Sequence, residues 1–336
     1  MKEFFVSDAP NFENQSVVSY FSVAAMNQRE RKGGGTYLAL TLADKSGTLE
    51  ARMWDEFAQA LESCSEGCYV KVQGTVSRYQ GKYQITLQKM RRAEESEVEP
   101  SDFVPATQYN VAEMAAELRG YVEQFTNGDL QRLVLSFLND PEFGPQFLAA
   151  PAAKRLHHAW IGGLLEHVLH LVRVCLATAP FYPEVDRDLL VTGAILHDMG
   201  KVRELSWKSS FNYTLEGQLI GHISIAQRML DRKILELDAE HGATPFPDKL
   251  RLLLEHMILS HHGKLEFGSP KLPMTPEAML LSALDDLEAK FQNLRGEFAA
   301  AQSAGKGKGE VTDWVRSMER ALFNSRAWLE EESSKQ

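Results

Sequence analysis

All ten histidines of this 336-residue chain lie between His157 and His262, and none occurs before or after that stretch. Random placement of surface imidazoles rarely does this, so the segment is expected to use them. The sharpest feature is GAILHDMGK at 193–201, an apolar helical run ending in adjacent His197 and Asp198. Gly200 can serve there as a helix C-cap, and Lys201 follows. Neighbouring helix positions point a quarter-turn or more apart, so both side chains can reach one pair of metal ions, with the carboxylate bridging them. Taken alone, such a pair is weak evidence and more often a solvated or capping helix end. Its surroundings matter: the apolar helix HHAWIGGLLEHVLHLV (157–172) bears His157, His158, His167 and His170. Downstream, His222 opens a helix, His261 and His262 end another, and Asp285 and Asp286 sit inside an apolar one. Carboxylates on apolar faces are costly to bury unless paired or metal-bound.

The order His167, His197-Asp198, His222, His261-His262, Asp285 resembles the HD superfamily of metal-dependent phosphohydrolases. More closely, HHAWIGGLLEH, LHDMGK and SHHG behind a strand-rich N-terminal part resemble the YhaM-type 3′→5′ exoribonucleases, from the first strands to about Lys290. The glycine-proline motif of cyclic-di-GMP phosphodiesterases is absent, because GKLEFGSP follows His262. Glu288 stands where that family favours Asp, and is expected to lie outside the direct ligands. The resemblance implies that His167, His197, Asp198 and Asp285 hold one divalent ion. Asp198 then bridges to a second ion on His222 and His261, with His262 a further ligand or a donor behind them. Mixed imidazole and carboxylate ligation favours Mn, Fe, Co, Ni or Zn over Mg; manganese is the first expectation. Lys201 either contacts a substrate phosphate or is a solvated lysine at a helix C-terminus. His158 is the expected proton donor or substrate guide, although consecutive residues cannot both face one site and His157 competes for the role. His170 and His256 read as satisfied helix histidines, and His241 as exposed in a loop.

Two kinds of element must position these residues. Segments 16–26, 36–44, 48–54, 68–79 and 82–90 are β-branched and aromatic, with a helical stretch at 55–64 between the third and fourth. Five strands with that insertion is the order of an OB-fold barrel. An acidic, proline-containing linker follows at 94–110, then helices near 111–126, 128–138, 156–178, 187–199, 219–237, 248–260, 276–300 and 310–331, with a flexible loop at 299–310. The expected architecture is therefore multidomain: an all-β OB barrel over 1–93 and an all-α HD bundle over 111–331.

The OB part carries the features of a single-strand binder. Tyr37, Trp54, Tyr79 and Tyr83 lie on strands beside Arg29, Arg31, Lys32, Arg52, Arg78 and Lys82. Bases stack on aromatic faces while cations track the backbone, but each ring is individually also a candidate for barrel core. The net charge of −10 argues against a chain that coats nucleic acid over its whole surface. The acid excess belongs to the linker and C-terminal half. Three cysteines make no disulfide framework, no leader is visible, and no stretch reads as a membrane span, so a cytoplasmic protein is expected. A C-terminal helix with Trp314, Leu322, Phe323 and Trp328 closes the helical core or pairs with a second subunit. The leading expectation is a metal-dependent exoribonuclease acting on single-stranded RNA or DNA. The alternatives are a nucleotide or cyclic-nucleotide phosphohydrolase and a non-catalytic nucleic-acid-binding regulator.

Overall fold

Alternation of apolar and polar residues builds the N-terminal unit. The computed structural model describes residues 2–31, 33–154, 160–207, 211–241, 245–303 and 310–333. Strands β1 (Ser16–Glu30), β2 (Thr36–Asp44), β3 (Gly47–Met53), β4 (Tyr69–Tyr79) and β5 (Lys82–Arg92) close into a barrel in the order β1-β2-β3-β5-β4. Helix α1 (Ala58–Ser63) lies between β3 and β4, as the OB-fold requires. Only the β3–β5 pairing is parallel. Leu38, Leu40 and Leu42 of β2 point into the barrel, where they meet Phe21, Val70, Val72 and Ile85. Their neighbours Tyr37, Ala39 and Thr41 consequently face outward. Gly74 sits at a bulge in β4, where a Cβ would lie 2.7 Å from the Ile85 side chain.

The chain divides into two compact units, Met1–Gln108 with Leu205–Tyr213, and Tyr109–Glu204 with Thr214–Gln336. The small insertion pairs β6 (Leu205–Ser206) with β7 (Asn212–Tyr213). The second unit is helical: α2 (Val111–Glu123), α3 (Gly128–Leu138), α4 (Phe143–Ala149), α5 (Gly163–Thr178), α6 (Arg187–Leu196) and α7 (Lys201–Glu204) come first. Then follow α8 (Leu215–Ile220), α9 (His222–His241), α10 (Asp248–Ser260), α11 (Pro276–Ser303) and α12 (Ser325–Ser333). Side-chain N-caps fix several starts: Asn110, Asn127, Asp186 and Thr214 each accept from backbone amides of the first turn. Helix α5 is central, burying Leu164, Leu165, Val168, Leu169 and Val172 against α2, α4, α6 and α11.

Four expectations from sequence need correction. Segment 310–331 is not one helix: Val311 bridges Phe323 and Val315 bridges Arg320, and helix begins only at Ser325, where Asn324 caps it through Ala327. The β-branched Val311, Thr312 and Val315 favour that local pairing over a helical turn. Gly163–Phe181 does have the length and apolarity of a membrane span, contrary to expectation, but it is the packed middle of this unit. His241 is the last residue of α9 rather than a loop residue, and α11 runs on to Ser303. Helix α4 was missed because it is short and contains Pro145.

Candidate metal centre and nucleic-acid face

Five imidazoles and two carboxylates converge from five helices of the second unit. His167 comes from the middle of α5, and His197 and Asp198 from the end of α6. His222 opens α9, His261 and His262 follow α10, and Asp285 lies in α11. Gly200 makes the approach possible, for a different reason than its sequence position suggests. Its φ is not positive, so it is no left-handed C-cap. Instead a Cβ there would sit 2.1 Å from the His222 carbonyl oxygen and 2.8 Å from the Ala226 nitrogen. Only glycine lets the start of α9 rest on the turn that carries His197 and Asp198.

Asp198 stands between two groups of donors. Its Oδ2 is 3.3 Å from His197 Nε2 and 3.7 Å from His167 Nε2. Its Oδ1 is 3.5 Å from His222 Nε2 and 3.7 Å from His261 Nε2. Asp285 Oδ1 joins the first group, 3.3 Å from His167 Nε2 and 3.7 Å from His197 Nε2. His262 joins the second, its Nε2 3.3 Å from that of His222. The atoms of His167, His197 and Asp198, and those of His222, His261 and His262, fall within 4.8 Å of one another.

Every ring is oriented through its other nitrogen. The Nδ1 of His197, His261 and His262 donates to the carbonyls of Ala194 (2.9 Å), Ile258 (2.7 Å) and Phe267 (2.8 Å). Carboxylates do the same for the remaining two, Glu288 at His167 (3.0 Å) and Glu204 at His222 (3.0 Å). A carbonyl can only accept, so in His197, His261 and His262 Nδ1 carries the proton and the Nε2 lone pair is left for a ligand. Two of the inward atoms, Asp198 Oδ1 and His261 Nε2, are buried with no hydrogen-bond partner. Each such orphan costs about 1–3 kcal/mol, and a cation would satisfy both. Nitrogen and oxygen donors roughly 2.1 Å from a shared ion stand about 3.0–3.4 Å apart, close to the spacings here. The residues fit a divalent metal.

Electrostatics agree with that fit. Burial resists charge on Asp198, but Lys201 and His197 hold its carboxyl well below the usual range. Burial among other imidazoles pushes His261 far down and His262 down, keeping both neutral. Burial opposes charge on His167, but Asp285 and Glu288 outweigh it and raise its pKa to about 10, so an ion bound there would have to displace the Nε2 proton. The Lys201 ammonium lies 2.5 Å from Asp198 Oδ2, and its pKa is raised by that contact against burial. A cavity of about 420 Å³ opens in front of this cluster, its walls including Lys201, Phe267, Asp285 and Asp286. A smaller cavity of about 90 Å³ beside α3, α4 and α9 is lined by charges that pair with one another, such as Lys233 with Asp140 and Glu236, and holds no imidazole.

His157, His158 and Lys32 lie outside the described residues. His170 shares Glu288 with His167 (3.2 Å), and His256 Nε2 accepts from the Met274 amide, so both are engaged away from the inward donors. Glu204 was not foreseen, and no spacing in the sequence announces it. Glu288 could have been read as more than a substitution: it lies one turn from Asp285, as His170 does from His167.

On the barrel, Arg31, Arg52 and Arg78 each lie near an aromatic ring. Tyr37 stacks on Trp54 with ring centroids 4.7 Å apart, and Arg31 lies 5.4 Å from the Trp54 ring while pairing with Asp55. Arg52 lies 5.4 Å from the ring of Tyr79, and Arg78 lies 5.6 Å from that of Tyr83. Arg52 and Trp54 are two residues apart on β3 and its end, so they share its outer face. Tyr79 is 52% exposed at the β4–β5 tip beside exposed Lys82, whereas Tyr83 is half-buried and packs on the barrel core. Exposed Arg29 pairs in register with Tyr37.

Known proteins share both units. The OB-fold nucleic acid binding domain profile matches residues 21–93 and the HD domain profile residues 164–290. The 3′-5′ exoribonuclease YhaM of Bacillus velezensis is 38% identical over 312 residues, spanning 92% of this chain and 94% of that protein. The chain belongs to the YhaM exoribonuclease family. The YhaM of Bacillus licheniformis is 37% identical over 310 residues, with 92% and 94% covered. Among solved structures, the second OB-fold domain of replication protein A from Methanococcus maripaludis is 24% identical, covering 26% of this chain and 91% of its own, at a TM-score of 0.21. The two profile matches fall on the barrel and on the helical unit that carries the converging histidines.

Proposed function

We propose that this chain is a 3′→5′ exoribonuclease, hydrolysing single-stranded RNA at a centre of two divalent ions with manganese as the preferred metal. The observation that carries the reading is Asp198, whose two oxygens face separate histidine groups. His167, His197, Asp198 and Asp285 would hold one ion; Asp198, His222, His261 and His262 the other. When bound, such ions neutralise charge on a phosphodiester and activate water against it. Lys201 fixes Asp198 and presents a permanent cation to the cavity, where it meets a substrate phosphate. Tyr37, Trp54, Tyr79, Arg52 and Arg78 would stack and neutralise the single strand. Arg29, Arg31, Lys82 and Tyr83 border that face, and Lys32 and His158 keep the roles expected from sequence. Three free, buried cysteines suit a reducing cytoplasm.

The test is incubation of purified protein, and of Asp198→Ala, with 5′-labelled RNA and DNA oligonucleotides and Mn²⁺. A ladder shortening from the 3′ end, absent in the variant, is expected. Turnover of a nucleotide or cyclic dinucleotide with both polymers left intact would replace this reading with a small-molecule phosphohydrolase.

A further inference from the structure

The cavity in front of Asp198 has one phenyl ring among its described walls, that of Phe267, and 55% of this residue is exposed. Apolar rings left in water forgo the gain of burial. This one is nevertheless held in place. Gly263 donates its amide to the Ser260 carbonyl (2.9 Å), Phe267 to that of Lys264 (3.1 Å), and the buried Ser269 hydroxyl to that of Leu259 (3.0 Å). Gly263 has φ +75°, and a Cβ on it would lie 2.4 Å from Ser282 Oγ, so the loop leaves α10 along a path that only glycine allows. Most tellingly, the Phe267 carbonyl is the acceptor that orients His262. One residue thus fixes an inward-facing imidazole and sets a flat apolar face beside it. The Lys264 ammonium lies 5.0 Å from the centroid of the same ring.

We propose that Phe267 is the seat of a nucleobase, stacking on the base of the nucleotide whose phosphate lies at the metal centre, with Lys264 offering a cation to the adjoining phosphate. This rests on the nuclease reading of the site and adds its base subsite. Stacking uses the π-face that every base has, so such a seat holds a terminal nucleotide without selecting its sequence. The carboxylates and lysine elsewhere in the wall suit phosphate and metal, and the imidazoles there are turned by their Nε2 atoms toward the Asp198 cluster, which leaves the Phe267 ring as the apolar face for a base. A ring serving only as a protein contact would have no preference for a base over a bare sugar phosphate.

Full-length protein loaded with Mn²⁺ is titrated by calorimetry with adenosine 5′-monophosphate, uridine 5′-monophosphate and ribose 5-phosphate, as wild type, Phe267→Ala and Phe267→Trp, with bound metal measured in parallel. Wild type is expected to bind both nucleotides at least about tenfold more tightly than ribose 5-phosphate. Phe267→Ala should erase that preference while keeping its metal and its affinity for ribose 5-phosphate, and Phe267→Trp should retain it. Equal binding, or no binding, of the three ligands by wild type overturns the proposal, as does a preference that survives in Phe267→Ala. Loss of metal from Phe267→Ala assigns the ring to supporting the loop and overturns it too. No arm uses RNA cleavage, so a protein that shows this pattern yet leaves RNA intact refutes the exonuclease reading and keeps the base seat.

Discussion

Glu288 and Glu204 show how much of a metal centre lies behind its ligands. Glu288, buried in α11, accepts from His167 and His170 and also receives the Gln292 amide at 2.9 Å. Glu204 accepts from both the backbone nitrogen and Nδ1 of His222, each at 3.0 Å. Removing such a partner frees the ring to rotate and lowers its basicity, which typically costs about 10–100-fold in metal affinity. Glu288→Ala and Glu204→Ala should each show that loss in a chelator competition, with the circular dichroism of the bundle unchanged. Full affinity in both variants would mean that packing alone holds the rings. That the histidines and aspartates belong together was legible from their order along apolar helices, although a lone His-Asp pair would not have shown it. Their supports were less so: an acid after LHDMGKVR acquires its partner only when α9 folds back.

At the scale of elements, close contacts decide whether the ligands meet. The sequence places Gly200 where a helix commonly ends, and so suggests a cap; the contact with α9 that explains it joins residues over twenty positions apart. Gly200→Ala would drive a methyl group into the backbone of His222 and Ala226, so α9 must shift and carry His222 away from Asp198. The expected result is a loss of several kcal/mol of stability, as for other overpacked sites, together with loss of one of two bound metal equivalents. Retention of both equivalents would place His222 outside the centre. Asp140 performs a related task through charge. It receives the amides of Glu142 and Phe143 at 2.9 Å each and the Lys233 ammonium at 2.7 Å, tying the entrance of α4 to α9. Lys233 and those amides lower its pKa to about 2. A carboxyl depressed in the folded state stabilises it fully above the unfolded value near 3.8, and that stabilisation fades as pH falls from there towards 2. Asp140→Asn should therefore cost about 1–2 kcal/mol at pH 7 in urea unfolding, and the gap to wild type should narrow below pH 4. A gap independent of pH would assign the loss to shape rather than charge. Strong periodicity made the strands and long helices readable, whereas α4 and the bridged segment before α12 depend on contacts too local or too mixed to register in a pattern.

For the whole molecule, the question is whether the barrel and the bundle act on one substrate. The barrel offers rings and guanidinium groups on the outside of β3 and at the β4–β5 tip, and the bundle offers a cavity in front of Asp198. If the barrel holds the strand while the bundle cuts it, injuries to each should separate kinetically. Trp54→Ala and Tyr79→Ala should each weaken single-stranded RNA binding by about 1–3 kcal/mol. Arg52→Ala and Arg78→Ala should each lower the slope of log affinity against log salt by about 0.7, the value for one lost phosphate contact on a single strand. All four should raise KM on long RNA yet leave hydrolysis of a nucleoside 5′-(p-nitrophenyl phosphate) unaltered, since that ester needs only the cavity. Tyr37 belongs in the same set; it is half-buried and stacked on the equally half-buried Trp54, so Trp54→Ala already removes one face of that stack. A matching loss on the small ester would show that these side chains act through the fold. An unchanged salt slope in both arginine variants would move the path of the RNA off this face altogether.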